Sequence, residues 1–308
     1  MRIRYAPFLL TSLFSVFTIV LGGCISTSPI ETEDDIMSNK FSPDEFAAVC
    51  DAWDNWEKPA PPFRIHGGTY HVGSCGISAI LITSSDGHLL IDSGTAQSGE
   101  LVANNIEMLG FSLNEVRYLS HTQEHGDHIG GLAYLKGQTE AQMVASSRAQ
   151  SVFETGVINT DDPQYEPHEP MATLTVDKVI ADGEAITLDN KRIVANYTPG
   201  HSPGAISWRW EECDENECYS LVFTDGMGPF SAEGYRWTDH PEYLSDYRAS
   251  LLWLEMIDVD ICLSAHPSQM RLIERIETES LIQKDVCRNN SVFGQERVDI
   301  IVQGEQEE

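Results

Sequence analysis

Basic residues are scarce in this sequence of 308 residues, which carries 19 Lys and Arg against 48 Asp and Glu for a formal net charge of −29. Binding to the phosphates of nucleic acid depends on neutralising them with Lys and Arg. A strongly acidic surface repels those phosphates. We therefore expect no nucleic-acid partner. The hydrophobic fraction of 41% is typical of a globular protein.

The N-terminal apolar run is too short to span a membrane. It extends from Phe8 to Leu21, whereas a spanning helix needs about 20 apolar residues. The basic start Met1–Arg4, this short run and the small residues before Cys24 are together typical of a signal peptide. The ending Leu21–Cys24 is similar to a bacterial lipobox, in which the Cys becomes the lipidated N-terminus.

These features predict three segments. We expect a lipoprotein signal peptide over residues 1–23, an acidic tether over 24–45 and one folded domain over 46–308. The chain is then a periplasmic or secreted protein, anchored to a membrane through lipidated Cys24 and monomeric. The residue after Cys24 is Ile25 and not Asp, which favours attachment to the outer membrane. The alternative is an ordinary signal peptide cut nearby, with Cys24 incidental.

Closely spaced Cys-x-x-Cys pairs, which often bind metal, are absent from the sequence. The six cysteines after Cys24 are even in number, and an exported protein meets an oxidising environment, so we expect disulfides. Cys213 and Cys218 flank a polar turn between two aromatic-rich runs, which predicts a bond that closes a hairpin. The other four cysteines allow three pairings, of which we favour Cys50–Cys75 and Cys262–Cys287.

Alternating apolar residues indicate strands in both halves of the domain. Strands are predicted at 69–72, 77–82, 88–92, 116–119, 173–180, 192–197, 205–210, 219–224 and 260–263. Helices are predicted at 98–109, beyond 129–131 and at 241–257. The polar stretch 154–170 is predicted to be a long loop at the rim of a site. Two strand-rich halves with helices outside predict an α/β fold, a four-layer αββα sandwich.

Histidines and a carboxylate follow several of these strands. His121, His125, Asp127 and His128 lie within eight residues after one strand, and His201 and His266 each follow another. Because strand ends meet at one rim of a sandwich, we expect these side chains to converge. Imidazoles with a carboxylate suit Zn²⁺, so the sequence predicts one or two zinc ions per chain.

The run Ser120–Gly131 resembles the signature His-x-His-x-Asp-His of the metallo-β-lactamase superfamily. Over about residues 48–290 the chain is most similar to subclass B3 metallo-β-lactamases. Segments 62–65, 69–73, 207–210, 234–236 and 264–267 and the cysteine hairpin carry this similarity. The resemblance implies one zinc site of Gln123, His125 and His201, and a second of Asp127, His128 and His266.

The sequence departs from the signature at one position. Aligned without gaps through Asp127 and His128, the first ligand position holds Gln123, as in a minority of the subclass. His121 lies two residues earlier, and we expect it to be structural or to support the ligands. An amide oxygen is a weaker zinc ligand than imidazole, so the first site is expected to bind metal loosely. Asp92 is expected to support the ligand loops.

The resemblance implies hydrolysis of the β-lactam amide bond of antibiotics by a metal-bound hydroxide, with Asp127 orienting the nucleophile. The expected partner is a small-molecule β-lactam. One alternative is a lactonase or esterase that uses Asp225 as a bridging ligand. A further alternative is a non-catalytic binding protein on the same fold, which the departure at Gln123 keeps open.

Overall fold

The computed structural model describes residues 41–278 and 280–307. The predicted signal peptide, Cys24 and most of the predicted tether lie outside this part of the chain. Residues 41–45, assigned to the tether from sequence, belong to the folded part, because Phe41 is buried and a helix covers Pro43–Val49. Within the described ranges, no helix combines the length and apolar character that a membrane crossing needs.

Twelve strands of the described chain form two sheets. The N-terminal sheet has the order β1 to β7: Phe63–His66, Thr69–His71, Ile80–Ile82, His88–Ile91, Val116–Ser120, Gln142–Ala145 and Lys178–Val179. The C-terminal sheet has the order β12-β11-β10-β9-β8, with β8 Ala185–Leu188, β9 Lys191–Tyr197, β10 Ile206–Cys213, β11 Cys218–Thr224 and β12 Ile261–Ser264. Neighbours are antiparallel except β4-β5-β6-β7 and β11-β12, which are parallel.

The helices lie outside the sheets. They are α1 Pro43–Val49, α2 Gly99–Met108, α3 Gly126–Ile129, α4 Leu132–Gln138, α5 Gln150–Thr155, α6 Pro241–Met256, α7 Leu272–Glu277 and α8 Val286–Glu307. Short 3-10 turns cover Leu113–Glu115, Trp237–Asp239 and Pro267–Met270.

Alternation along the strands places one set of side chains between the sheets and the other set under the helices. In β4, Leu89 and Ile91 join the core between the sheets, whereas Leu90 packs under α2 and α4. In β11, Phe223 faces the other sheet, whereas Val222 packs under α6 and α8. The predicted four-layer αββα sandwich is confirmed.

Several local predictions differ from the structure. The predicted strand at 173–180 is wrong over most of its length, because only Lys178–Val179 pairs with a neighbour. Leu174 and Val176 pack against the core without a partner strand, so their alternation reflects one buried side. Several elements were not predicted from the sequence: the strands β1, β6 and β8, the short helices α1, α3, α5 and α7, and the 22-residue helix α8.

All three predicted disulfides are confirmed. They join Cys50 to Cys75, Cys213 to Cys218 and Cys262 to Cys287. The first fixes α1 to the segment before β3, and the second closes the β10–β11 hairpin. The third ties α8 to β12, the strand that leads into His266.

Candidate metal centre

The candidate site lies where strands end on one rim of the sandwich. The residues that follow β4, β5, β9 and β12 include Asp92, the segment 121–128, His201 and His266. The parallel pairs β4-β5 and β11-β12 bring their C-terminal ends together within each sheet. A hydrogen bond from the Ile206 amide to the Thr122 carbonyl, 2.7 Å, joins the two sheets there.

Asp127, His128 and His266 form a compact group whose ligand atoms all lie within 4.8 Å of one another. Asp127 Oδ2 lies 3.0 Å from His128 Nε2 and 3.4 Å from His266 Nε2, and the two Nε2 atoms are 3.1 Å apart. Ligands at 2.0–2.2 Å from a tetrahedral zinc stand about 3.3–3.5 Å apart. These three side chains therefore fit one face of a zinc tetrahedron.

The electrostatics of this group follow from burial and close charges. Burial opposes ionisation of Asp127, but His128 and His266 outweigh it and hold the pKa of Asp127 well below its usual value. Burial also opposes protonation of His128, yet the carboxylates of Asp127 and Asp92 raise its pKa to about 10. An anionic carboxylate among imidazoles is a donor set that a divalent cation stabilises.

Asp92 supports the ligand loop, as expected. It is fully buried, has a positive φ of 66°, and accepts hydrogen bonds of 2.6 Å from both the amide and the hydroxyl of Thr122. Its Oδ2 atom also lies 3.5 Å from His128 Nδ1. This second contact aims His128 Nε2 at Asp127 and His266, in the manner of a carboxylate that orients a metal-binding histidine.

The other predicted set, Gln123, His125 and His201, lies next to this group. The imidazole rings of His125 and His201 are 5.1 Å apart between centroids. His201 Nδ1 donates to the Gly228 carbonyl at 3.0 Å, so Nε2 carries the lone pair, which the side-chain nitrogen of Gln164 contacts at 3.2 Å. Burial lowers the pKa of His201 to about 3, so the imidazole is neutral, as a metal ligand must be.

Gln123 is fully buried, and neither its amide nitrogen nor its amide oxygen has a hydrogen-bond partner in the described chain. A buried amide without partners carries a cost of about 1–3 kcal/mol. A cation bound to the oxygen removes part of that cost. Gln123 therefore has an unpartnered amide oxygen, which is the property that a ligand at this position needs.

His121 lies outside both sets. Its Nε2 accepts a hydrogen bond from the Ser146 amide at 3.2 Å, and its ring packs against Phe153 at 5.2 Å between centroids. Burial lowers the pKa of His121 to about 3. The lone pair of Nε2 is thus already used, and His121 has the structural position that the ungapped alignment predicts.

Asp225 does not belong to the compact group, although it is fully buried. One of its oxygens accepts a hydrogen bond from the Met227 amide at 2.9 Å, and the other has no partner in the described residues. Burial raises the pKa of Asp225 to about 7. A bridging ligand would need to share the face formed by Asp127, His128 and His266, which Asp225 does not.

Glu124 was missed in the sequence analysis. This buried carboxylate accepts hydrogen bonds from the Ser202 hydroxyl at 2.6 Å and the Gly204 amide at 2.7 Å, so it fastens the His201 loop to the His125 loop. Ser202 stands in the run Gly200–Gly204, which matches Gly-x-Ser-x-Gly. Its hydroxyl is fully buried and donates to Glu124, so it has neither the exposure nor the histidine partner of a serine nucleophile.

Two residues of the long loop between α5 and β7 also reach the centre. Asp162 places its Oδ2 atom 2.9 Å from His125 Nε2. Gln164 places its side-chain nitrogen 3.2 Å from His201 Nε2. The prediction of a rim loop at 154–170 indicated the right segment, but nothing in its sequence separated Asp162 and Gln164 from the other polar residues there.

A cavity of about 440 Å³ opens onto both ligand sets. His125, Asp127, His201 and His266 form its floor. Aromatic side chains from two segments form its walls: Trp53, Trp56 and Phe230. Its volume is typical of a site for a small molecule.

The chain was compared with known proteins. Residues 72–214 match the family model of the metallo-β-lactamase superfamily. The structure superposes on MIM-2 metallo-β-lactamase with a TM-score of 0.82 at 42% identity, covering 86% of this chain and 98% of that one. It superposes on MEM-A1, a subclass B3 metallo-β-lactamase from a soil metagenome library, with a TM-score of 0.77 at 33% identity, covering 82% and 99% of the two chains.

A curated relative, a probable metallo-hydrolase of Burkholderia pseudomallei (strain 1710b), is 29% identical over 156 residues. That match spans 46% of this chain and half the length of the relative. The near-complete coverage of solved metallo-β-lactamases, the two-sheet sandwich and the converging ligands agree. This chain belongs to the metallo-β-lactamase superfamily, with subclass B3 enzymes among its structural neighbours, and is a hydrolase of that superfamily.

Proposed function

We propose that this protein hydrolyses the β-lactam amide bond of antibiotics with zinc as cofactor. The observation that carries the proposal is the group Asp127, His128 and His266, whose three ligand atoms have the spacing of a zinc tetrahedron at the floor of a small-molecule cavity. The similarity to subclass B3 enzymes supports the choice of substrate.

In this proposal, Asp127, His128 and His266 hold one zinc, and Gln123, His125 and His201 hold a second. Bound zinc activates water for nucleophilic attack near neutral pH. Asp127 is the proposed catalytic residue. Its Oδ2 atom faces the two histidines, while the residue also lines the cavity, so its carboxylate can accept a proton from the attacking water and orient it toward the lactam carbonyl.

The cavity also suggests how the substrate is held. Its aromatic walls suit the apolar parts of a bicyclic lactam, and Trp56 packs against His266 at 5.7 Å between ring centroids. None of the described residues that line the cavity is Lys or Arg. An anionic group on the substrate must therefore be bound by neutral donors, of which Ser268 and Gln269 lie beside His266.

Gln269 is well placed for this task. The Ser264 hydroxyl accepts from the His266 amide at 3.3 Å and donates to the amide oxygen of Gln269 at 3.0 Å. This chain of bonds fixes the Gln269 side chain and leaves its N–H groups for a ligand. Gly226 leaves room for it, since a Cβ at that position would lie 1.6 Å from the Gln269 oxygen. We assign Gln269 to the substrate carboxylate.

The cellular setting is also a proposal. We infer that residues 1–23 are a signal peptide, and that the mature monomer is attached to the outer membrane through lipidated Cys24, facing the periplasm. Three disulfides support export, because such bonds persist in oxidising compartments.

The test is hydrolysis of a chromogenic cephalosporin by the purified mature domain, with and without a chelator, with zinc content measured in parallel. We expect turnover that the chelator abolishes and zinc restores. Asp127→Ala and His266→Ala should lose turnover while circular dichroism stays unchanged. His240→Ala, a change at an exposed histidine outside the cavity, is the control and should keep full activity.

Two alternatives predict other outcomes in the same assay. A zinc-loaded protein that cleaves lactones but no lactam would favour the lactonase and would require Asp225 to move into the ligand group. A protein that retains little zinc and cleaves neither substrate would favour the binding protein. Either result would refute the lactamase proposal.

A further inference from the structure

Asp162 is a buried carboxylate in the loop between α5 and β7, at 1% exposure, next to the exposed Asp161. Its Oδ2 atom lies 2.9 Å from His125 Nε2. Its Oδ1 atom accepts a hydrogen bond of 2.8 Å from the Gln164 amide. Both oxygens are thus used, one by a proposed zinc ligand and one by the backbone of the loop.

These two contacts determine which nitrogen of His125 is available for metal. An ionised carboxylate only accepts hydrogen bonds, so Nε2 must carry the proton that it shares with Asp162. Nδ1 then holds the free lone pair. No group in the described ranges hydrogen bonds to Nδ1, and His125 lines the cavity, so Nδ1 is the atom left to bind a cation.

We propose that Asp162 is a positioning residue that sets the tautomer of His125, so that this set retains zinc despite the weak amide ligand Gln123. The inference rests on the zinc assignment of the proposed function, but not on the substrate. A carboxylate that accepts the second N–H of a histidine fixes its ring and makes it a better ligand. In a set with one weak donor, the strength of the other two decides whether zinc stays bound.

The same loop contacts the other histidine of the set. Gln164 donates its backbone N–H to Asp162 and places its side-chain nitrogen beside His201. Arg148 pairs with Asp161 through its guanidinium, and its carbonyl oxygen accepts a hydrogen bond of 3.0 Å from the side-chain amide of Asn159. The loop at the rim of the cavity therefore contacts both histidines through Asp162 and Gln164, whereas the Arg148–Asp161 pair is exposed and lies away from them.

The test compares the zinc affinity of Asp162→Asn, Asp162→Ala and the control Asp161→Asn, measured by competition with a chromophoric chelator. In Asp162→Asn, the Gln164 N–H keeps the amide oxygen, so the amide NH₂ faces His125 Nε2 and donates to it. The proton of His125 must then move to Nδ1, which blocks that ligand atom. We expect Asp162→Asn to lose about 10–100-fold in affinity for the zinc that His125 binds.

Asp162→Ala removes the partner without imposing the wrong tautomer, so its loss should be smaller than that of Asp162→Asn. Asp161→Asn makes the same change of charge one residue away and should stay within twofold of the wild type. This order is specific to tautomer control. A purely electrostatic role predicts equal losses for Asn and Ala, and a packing role makes the isosteric Asn the milder change; either order overturns the proposal.

A second measurement needs no variant. The ¹⁵N chemical shifts of the His125 imidazole in the zinc-free wild type are followed to a pH at which the ring is neutral, because, although burial opposes protonation, the Asp162 carboxylate raises the pKa of His125. In that neutral ring they should report a protonated Nε2 and an unprotonated Nδ1, and the opposite assignment overturns the proposal. Because neither experiment uses a lactam, failure of β-lactam hydrolysis leaves both informative. A wild type that binds no zinc refutes the metal assignment of the proposed function, while the chemical shifts still test the role of Asp162.

Discussion

His71 gives a prediction whose size can be worked out from the structure. The imidazole is 1% exposed and packs against the rings of Phe46 and Phe63, at 4.8 and 5.1 Å between centroids. Neither ring nitrogen has a hydrogen-bond partner in the described chain. Burial alone lowers the pKa of His71 to about 3, from 6.5 for a free imidazole.

A pKa that is lower in the folded state means that the unfolded chain binds the proton more readily. His71 therefore costs no stability above pH 6.5, and an increasing amount as the pH falls from 6.5 towards 3. At pH 5, protonation of His71 in the unfolded chain disfavours folding by about 2 kcal/mol relative to pH 8.

His71→Leu removes the titrating group at a similar volume. The change in packing and in stacking is the same at both pH values, so it cancels in the comparison. We therefore expect the variant to gain stability relative to the wild type at low pH. The free energy of unfolding of the variant minus that of the wild type should be about 2 kcal/mol larger at pH 5 than at pH 8. Urea unfolding in the presence of a chelator measures it. A difference below about 0.5 kcal/mol would refute a neutral buried His71.

Three further predictions concern the site and its support. Gln269→Leu should raise KM for a cephalosporin about tenfold, because it removes a hydrogen bond to a charged group worth about 1.5–3 kcal/mol; an unchanged KM would refute the assigned role. Gln123→His should lower the Kd of the zinc at the site of Gln123, His125 and His201, since imidazole is the stronger donor. Equal Kd values would show that Gln123 is not a ligand. Replacing Cys262 and Cys287 by Ala should lower the free energy of unfolding by about 3.5 kcal/mol, because this bond joins residues at a sequence separation of 25, against about 2 kcal/mol for the Cys213–Cys218 pair at a separation of 5; equal losses in denaturant unfolding would contradict this.

The strands that carry the site were the predictable part of the fold. β4, β5, β9, β11 and β12 are apolar runs that end abruptly at polar or histidine residues, and such runs are read well by periodicity. The helix α8 was not predictable in this way. Its sequence contains Gly294 and many β-branched and Asn residues of low helix propensity, and packing on α6 and the Cys262–Cys287 bond stabilise it.

The choice between His121 and Gln123 shows what a motif contributes and what it leaves undetermined. The spacing to Asp127 and His128 favoured Gln123 as the residue in the ligand position, against the chemical preference for a histidine. The structure gives the physical reason that the spacing lacked. The His121 lone pair is used by the Ser146 amide, whereas the Gln123 amide has no partner in the described residues.

The carboxylates around the centre could not be singled out from sequence, because the chain contains 48 Asp and Glu residues and composition treats them alike. Burial distinguishes the carboxylates at the centre from the exposed ones. Asp161 and Asp162 are neighbours, yet one is exposed and pairs with Arg148 while the other is enclosed against His125. Glu124 differs from its exposed counterparts in the same way. A buried charge is costly unless it is hydrogen bonded, and in three of the enclosed carboxylates, Asp92, Glu124 and Asp162, those hydrogen bonds hold the histidines of the centre or their loops in place.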